Sequence, residues 1–167
     1  MEIERKWAMP SKYTFTIKPI QKLLEEEIGQ PELWADPFAG ENSPVYIKND
    51  LNPEICKDGK DALIWLKGLD ALFAGILLDP PYSITQAAQC YASYGKDKLE
   101  INPSNMKYWS SIKDEMARLI MPGGKAICFG WNSIGLGKNR GFEMKRILLV
   151  PHGGSRNDTI VTVEVKK

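Results

Sequence analysis

Short apolar segments alternate with helical ones along most of the chain, and this alternation limits the fold more than any other feature. Residues 15–28 are predicted to be helical. Ile17, Ile20, Leu23, Leu24 and Ile28 share one side, Pro19 sits in the first turn and Gly29 ends it. Leu33-Trp34-Ala35 and Val45-Tyr46-Ile47 read as short strands, 61–69 as a helix and 73–78 as an apolar strand. Residues 83–104 have no clean period and are expected to form a long loop with at most a turn of helix. A helix capped by Ser104 or Asn105 then runs to Met121, where Pro122-Gly123-Gly124 stops it. Residues 125–131 read as a buried strand, and 132–141, with three glycines, as a mobile stretch. Residues 143–150 and 159–166 alternate as a strand pair joined across 151–158. The expected fold class is therefore α/β: three layers, Rossmann-like, with a mainly parallel sheet and an antiparallel C-terminal edge strand.

Sheets of this kind bind ligands beyond the carboxyl ends of their strands. Asp36, Asp50 and Asp79 all fall at predicted strand ends, which locates a candidate site before any motif is considered. Composition narrows the rest. The 167 residues are 43% hydrophobic and 26% charged, enough for one core and a single domain over 1–167. No apolar run approaches the roughly 20 residues that span a bilayer, so no membrane partner is expected. The charged first six residues do not read as a secretory signal. Cys56, Cys90 and Cys128 are too few and too scattered for a disulfide framework or a metal site, so no metal is expected and a cytoplasmic location is. The net charge of +1 argues mildly against tight, independent binding of duplex nucleic acid.

The most specific feature is Asp79-Pro80-Pro81-Tyr82, directly after the apolar strand. A fixed tetrapeptide recurs by chance roughly once per 10^5 positions. Its chemistry suits activation of an aromatic amine, whose lone pair is delocalised into its ring. Two acceptors aimed at the two amine hydrogens draw the nitrogen toward tetrahedral geometry. The Asp79 carboxylate and the Pro80 carbonyl are candidates, and paired prolines stiffen the backbone that carries them. Tyr82 is expected to stack on a base that has left its helix.

In this motif the chain resembles the S-adenosylmethionine-dependent amino-methyltransferases of the DPPY type, chiefly the adenine-specific DNA methyltransferases. Further pieces fit the same resemblance, in the order of members whose cofactor half comes first. Asp36-Pro37-Phe38-Ala39-Gly40 is similar to the family's cofactor loop, and Asp50 with Leu51 to the element whose acid holds the ribose. Asp61 and Ala62 resemble the element at the cofactor's adenine amine; Phe15, Thr16 and Ile17 resemble the segment closing over its methionine end. The resemblance implies a methyltransferase fold, S-adenosyl-L-methionine as cofactor, Asp79, Pro80, Pro81 and Tyr82 as catalytic residues, and nucleic acid, foremost DNA adenine, as substrate. RNA, a cytosine or guanine amine, and a non-catalytic cofactor-binding subunit are the alternatives.

The chain departs from the family pattern in two ways. Glu41-Asn42-Ser43 stands where a second glycine is usual, and Asn42 is expected to replace it by taking a positive φ. The 167 residues leave no room for a separate recognition domain beside the catalytic one, so recognition is expected from 83–105, from 132–141 or from a partner protein. His152, the only histidine, reads as a turn residue. Trp131 reads equally as pocket wall or core. Lys96, Lys98, Lys107, Lys138, Arg140 and Arg156 are candidates for phosphate contact, or simply a solvated surface.

Overall fold

The computed structural model describes residues 1–93 and 106–167. In chain order the elements are β1 Glu2–Arg5, α1 Lys18–Glu27, β2 Trp34–Asp36, β3 Ile47–Lys48, α2 Ala62–Lys67 and β4 Phe73–Leu78. They continue as α3 Ile84–Ser93, α4 Met106–Leu119, β5 Ile120–Gly130, β6 Phe142–Val150 and β7 Thr159–Lys166. Among the described residues seven strands form one sheet in the order β1-β6-β7-β5-β4-β2-β3. Only β7 runs against its neighbours, pairing antiparallel with both β5 and β6.

Strand periodicity divides the core into the two faces of the sheet. Ile76, Leu78, Ala126 and Cys128 point to one face, where α2 and α4 cover them through Leu63, Leu66, Ile112 and Met116. Leu77, Ile127 and Phe129 point to the other, under Ile20, Leu23 and Leu24 of α1. Three layers result, as expected. Leu77 and Ile127 are fully buried, so truncating either to alanine should cost about 2–5 kcal/mol. Gly75 is needed for close approach: a Cβ there would lie 2.4 Å from the Trp34 ring. Among the described residues no helix is long and apolar enough to cross a membrane.

The structure corrects the sequence reading at several points. The antiparallel C-terminal strand is present, but β6 and the unanticipated β1 flank it, so it lies inside the edge. The sequence of β1, Glu-Ile-Glu-Arg, has no apolar face to announce it. Its register puts Glu2 opposite Arg146. The Arg146 guanidinium binds Glu4 and, at 2.7 Å, Glu26 of α1, fixing the strand by charge. Helix α3 stands where a loop was expected; among its described side chains Ala87 and Tyr91, one turn apart, are the buried ones, a stripe too thin to read as a helical period. The rest of the expected recognition loop, with Lys96, Lys98 and the Ser104 or Asn105 cap, lies outside the described residues. Strand β5 begins five residues early and passes through Pro122-Gly123-Gly124 as a bulge, where the register with β4 jumps between Phe73 and Gly75. Residues 132–141, expected to be mobile, are anchored: the Glu164 carboxylate accepts from the Leu136 and Gly137 amides, and Lys113 donates to the Gly135 carbonyl at 2.8 Å.

Candidate active site

Strands β2, β3 and β4 are parallel, so their carboxyl ends open to the same side of the sheet. A cavity of about 500 Å³ lies there. Its wall includes Ile17, Pro37, Phe38, Asp50, Leu51, Ala62 and the whole tetrapeptide Asp79-Pro80-Pro81-Tyr82. These are most of the residues singled out in the sequence. Phe15, Thr16, Asp36, Gly40 and Asp61 do not line it.

The loop after β2 is held by its own polar groups. The fully buried Asp36 carboxylate accepts from the Phe38 amide at 3.0 Å and the Ser43 hydroxyl at 2.7 Å. Burial pushes its pKa up to about 7, against the pull of those two donors, and Asp79 and Asp50 add to the rise. Gly40 turns with φ +56°, and its amide donates to Asp50 Oδ2 at 2.8 Å. Asp50 Oδ1 accepts from the Asn52 amide at 2.7 Å. Asn42 is exposed and does not take the positive φ expected of it, since glycines alone have positive φ among the described residues. The loop is closed by Asp36 and Asp50 rather than by a second left-handed residue.

Sequence reasoning missed Asn49, which ties three loops together. Its side-chain amide donates to the Pro37 and Lys60 carbonyls, and its side-chain oxygen accepts from the Lys60 amide at 3.0 Å. Asp61 caps α2, accepting from the Leu63 and Ile64 amides. Its second oxygen accepts from the Tyr91 and Tyr108 hydroxyls, each at 2.7 Å, joining α2 to α3 and α4. Burial pushes both phenols well above the usual tyrosine range, which keeps them as donors. The carboxylate of Asp61 thus has four protein donors, and Ala62 and Lys60 line the cavity beside it.

On the N-terminal side, Phe15 packs edge-on against Phe129 in the core, and the Thr16 hydroxyl caps its own turn through the Tyr13 carbonyl. Ser11, Lys12 and Thr14, not singled out beforehand, line the cavity. His152 ties this segment down. Its Nδ1 donates to the Ala8 carbonyl at 2.9 Å, since that oxygen can only accept, and its Nε2 lies 2.8 Å from Thr159 Oγ1. The structural role expected of His152 fits this arrangement.

Asp79 is half-buried at the end of β4. Loss of solvation pushes its pKa up to about 6, and the Tyr82 hydroxyl, donating to Oδ1 at 2.5 Å, acts the other way. The Tyr82 phenol is itself raised by burial and by the Asp79 charge, so it remains the donor. Tyr82 is thus turned inward, with its amide held by Gln86 Oε1 at 2.9 Å and its ring edge-on to Trp131 at 5.7 Å. Pro80, Pro81 and Tyr82 also line a second cavity of about 300 Å³ on their other side. Three residues of the tetrapeptide thus line both cavities, and Asp79 lines the larger one alone.

No family model matches the chain, and no curated protein matches it in sequence. Solved structures do share its fold. TrmN from Thermus thermophilus is similar at 19% identity with a TM-score of 0.52; the match covers 90% of this chain and 49% of that one, so the chain spans about half of TrmN. The N-methyltransferase NodS from Bradyrhizobium japonicum, in complex with S-adenosyl-L-homocysteine, is 14% identical with a TM-score of 0.56, covering 93% and 89% of the two chains. The 1,6-didemethyltoxoflavin-N1-methyltransferase of Burkholderia thailandensis, with that substrate and S-adenosylhomocysteine bound, is 12% identical with a TM-score of 0.57, covering 90% and 77%. The chain has the three-layer, Rossmann-like fold of these methyltransferases.

Proposed function

We propose that the chain transfers a methyl group from S-adenosyl-L-methionine to the exocyclic amine of a nucleic-acid base, adenine in DNA. The observation that carries this reading is the shared wall: Pro80, Pro81 and Tyr82 line both a cofactor-sized cavity and a second cavity for the acceptor, and Asp79 lines the first. Two of the structural neighbours are nitrogen methyltransferases with S-adenosylhomocysteine bound, which supports the choice of cofactor and of acceptor atom.

The larger cavity suits the cofactor in size, as small-molecule sites run from about 300 to 1,000 Å³. Its lining suits it in chemistry. Asp50 offers a carboxylate to the ribose, Phe38, Leu51 and Ala62 offer apolar surface to the adenine, and Lys12, Ser11 and Thr14 offer polar groups to the amino-acid end. When bound, the cofactor would supply an electrophilic methyl group on a sulfonium and leave as the neutral thioether, and the proton shed by the methylated amine would pass to solvent. The residues of the chain do the rest. Tyr82 and Thr14 donate to the Asp79 carboxylate, which keeps further acceptor capacity for the target amine. The Pro80 carbonyl is the second acceptor. Both are fixed before the substrate arrives, so little reorganisation is required during the reaction.

The test is methyl transfer from labelled cofactor into duplex DNA, single-stranded DNA and RNA. The Asp79→Asn variant, which can present a donor where an acceptor is needed, should lose about 10²–10³ in kcat. Its cofactor affinity, measured by calorimetry, should stay within about twofold of wild type, because Asp79 is asked to bind the acceptor rather than the cofactor. Undiminished turnover in that variant would defeat the mechanism; transfer to RNA alone would defeat the choice of DNA.

A further inference from the structure

The second cavity contains an aromatic face that the tetrapeptide does not supply. Tyr82 is committed: its hydroxyl is held by Asp79 and its ring packs against the core on the α1 face of the sheet. Trp131 is the more open ring. It follows the end of β5, keeps 41% of its surface exposed and meets Tyr82 only edge-on, at 70°. Its loop is firmly held. Asn132 Oδ1 accepts from the Ile134 amide at 2.9 Å, and Lys113 binds the Gly135 carbonyl. Lys113 is therefore spent on fixing the loop. Asn132 spends its oxygen in the same way, which leaves its amide donors to serve a ligand. The rest of the lining is mainly apolar, with Trp109, Ile134 and Cys128 among it.

Resting on the amino-methyltransferase reading above, we infer that Trp131 is the stacking platform for the acceptor and that Asn132 reads its edge. A wall of one open indole with a single polar donor takes a flat nitrogen heterocycle. A donor beside the target amine requires an acceptor ring nitrogen there. Adenine has one in N1, cytosine in N3 and guanine in N3, each beside the exocyclic amine. The occupant is therefore a nucleobase-type ring that carries an exocyclic amine beside an acceptor ring nitrogen, in a strand or as a free nucleoside.

The test begins with binding, so that it does not depend on turnover. Single-stranded (dA)12, and separately free adenosine, are titrated against the protein while tryptophan fluorescence is followed. Anisotropy of a labelled (dA)12 gives affinity independently. The wild type should be quenched. Trp131→Phe should keep most of the affinity and lose most of the quenching, because the phenyl ring stacks but the reporting indole is gone. Trp131→Ala should weaken binding roughly tenfold or more and, where turnover is measurable, raise the acceptor KM with little change in kcat. Thermal unfolding and cofactor affinity should be unchanged in both. Asn132→Asp keeps the bond to Ile134 but removes the donors, so it should raise the KM for adenine acceptors and leave the fold intact. Quenching by (dA)12 alone identifies a base in a strand as the occupant; quenching by adenosine as well identifies the free ring. Wild-type affinity in Trp131→Ala, or quenching retained in Trp131→Phe, would overturn the inference. Quenching without methylation of any acceptor would uphold the platform and sink the methyl-transfer reading.

Discussion

The two cavities that share Pro80, Pro81 and Tyr82 are built in opposite ways. Behind the larger one every singled-out carboxylate is already occupied by protein donors: Asp36 by Phe38 and Ser43, Asp50 by Gly40 and Asn52, Asp61 by two amides and two tyrosines. Around the smaller one the conspicuous groups are aromatic and aliphatic, and Trp131 and Ile134 remain 41% and 72% exposed. The first is a preorganised socket for a ligand of fixed shape. The second is walled mainly by aromatic and aliphatic side chains, several of them in contact with solvent. The contrast shows where the chain has invested its stability, and it predicts that damage to the two sides will differ in kind.

The largest expected effect lies at Asp61. Asp61→Ala removes a helix cap and leaves two buried phenols without their acceptor, so it should cost roughly 3–5 kcal/mol of stability in chemical denaturation. Stability close to wild type would mean that the socket is less tightly built than the hydrogen bonds indicate. At Asp50 the effect should fall on affinity. Asp50→Ala loses the proposed ribose acceptor and the partner of the Gly40 amide, and calorimetry should find cofactor binding about tenfold weaker or worse. Unchanged affinity would remove Asp50 from the site.

The smallest effect should be one of pH. Tyr82 donates to Asp79 and so favours its ionised form; in Tyr82→Phe that donor is lost and the carboxyl's pKa must rise. The acceptor role needs the carboxylate, so activity should fail as pH drops through the Asp79 pKa, about 6 in the ligand-free wild type. In Tyr82→Phe the acid limb of kcat/KM should move to higher pH, with little loss on the alkaline side. Superimposable pH profiles would show that the hydroxyl does not tune Asp79.

The parts legible in the sequence were those governed by local pattern. Strands β4 and β7 fell where alternation and apolarity put them, and β6 began one residue early. Pro19 and Asp61 mark helix starts. The tetrapeptide announced itself through its residue types. What was not legible depends on partners distant in the chain. Strand β1 exists because Arg146, more than a hundred residues on, pairs with Glu4. Asn49 matters because two loops converge on its amide, although the Asn49-Asp50 pair at a strand end was a usable signal. Tyr91 and Tyr108 are drawn together by Asp61 across three helices, which no periodicity reports. Thr14 lies one residue before the segment that was singled out, and the turn that follows it decides which hydroxyl faces the cavity.

The central claim is that the methyl group is delivered to an exocyclic nitrogen, and identifying the product tests it most directly. DNA incubated with the protein and S-adenosyl-L-methionine would be digested to nucleosides and resolved by mass spectrometry against authentic standards. N6-methyladenine should form with the wild type and be lost with Asp79→Asn. A methyl group on a ring carbon or ring nitrogen, or no methylated nucleoside from DNA despite bound cofactor, would contradict the account.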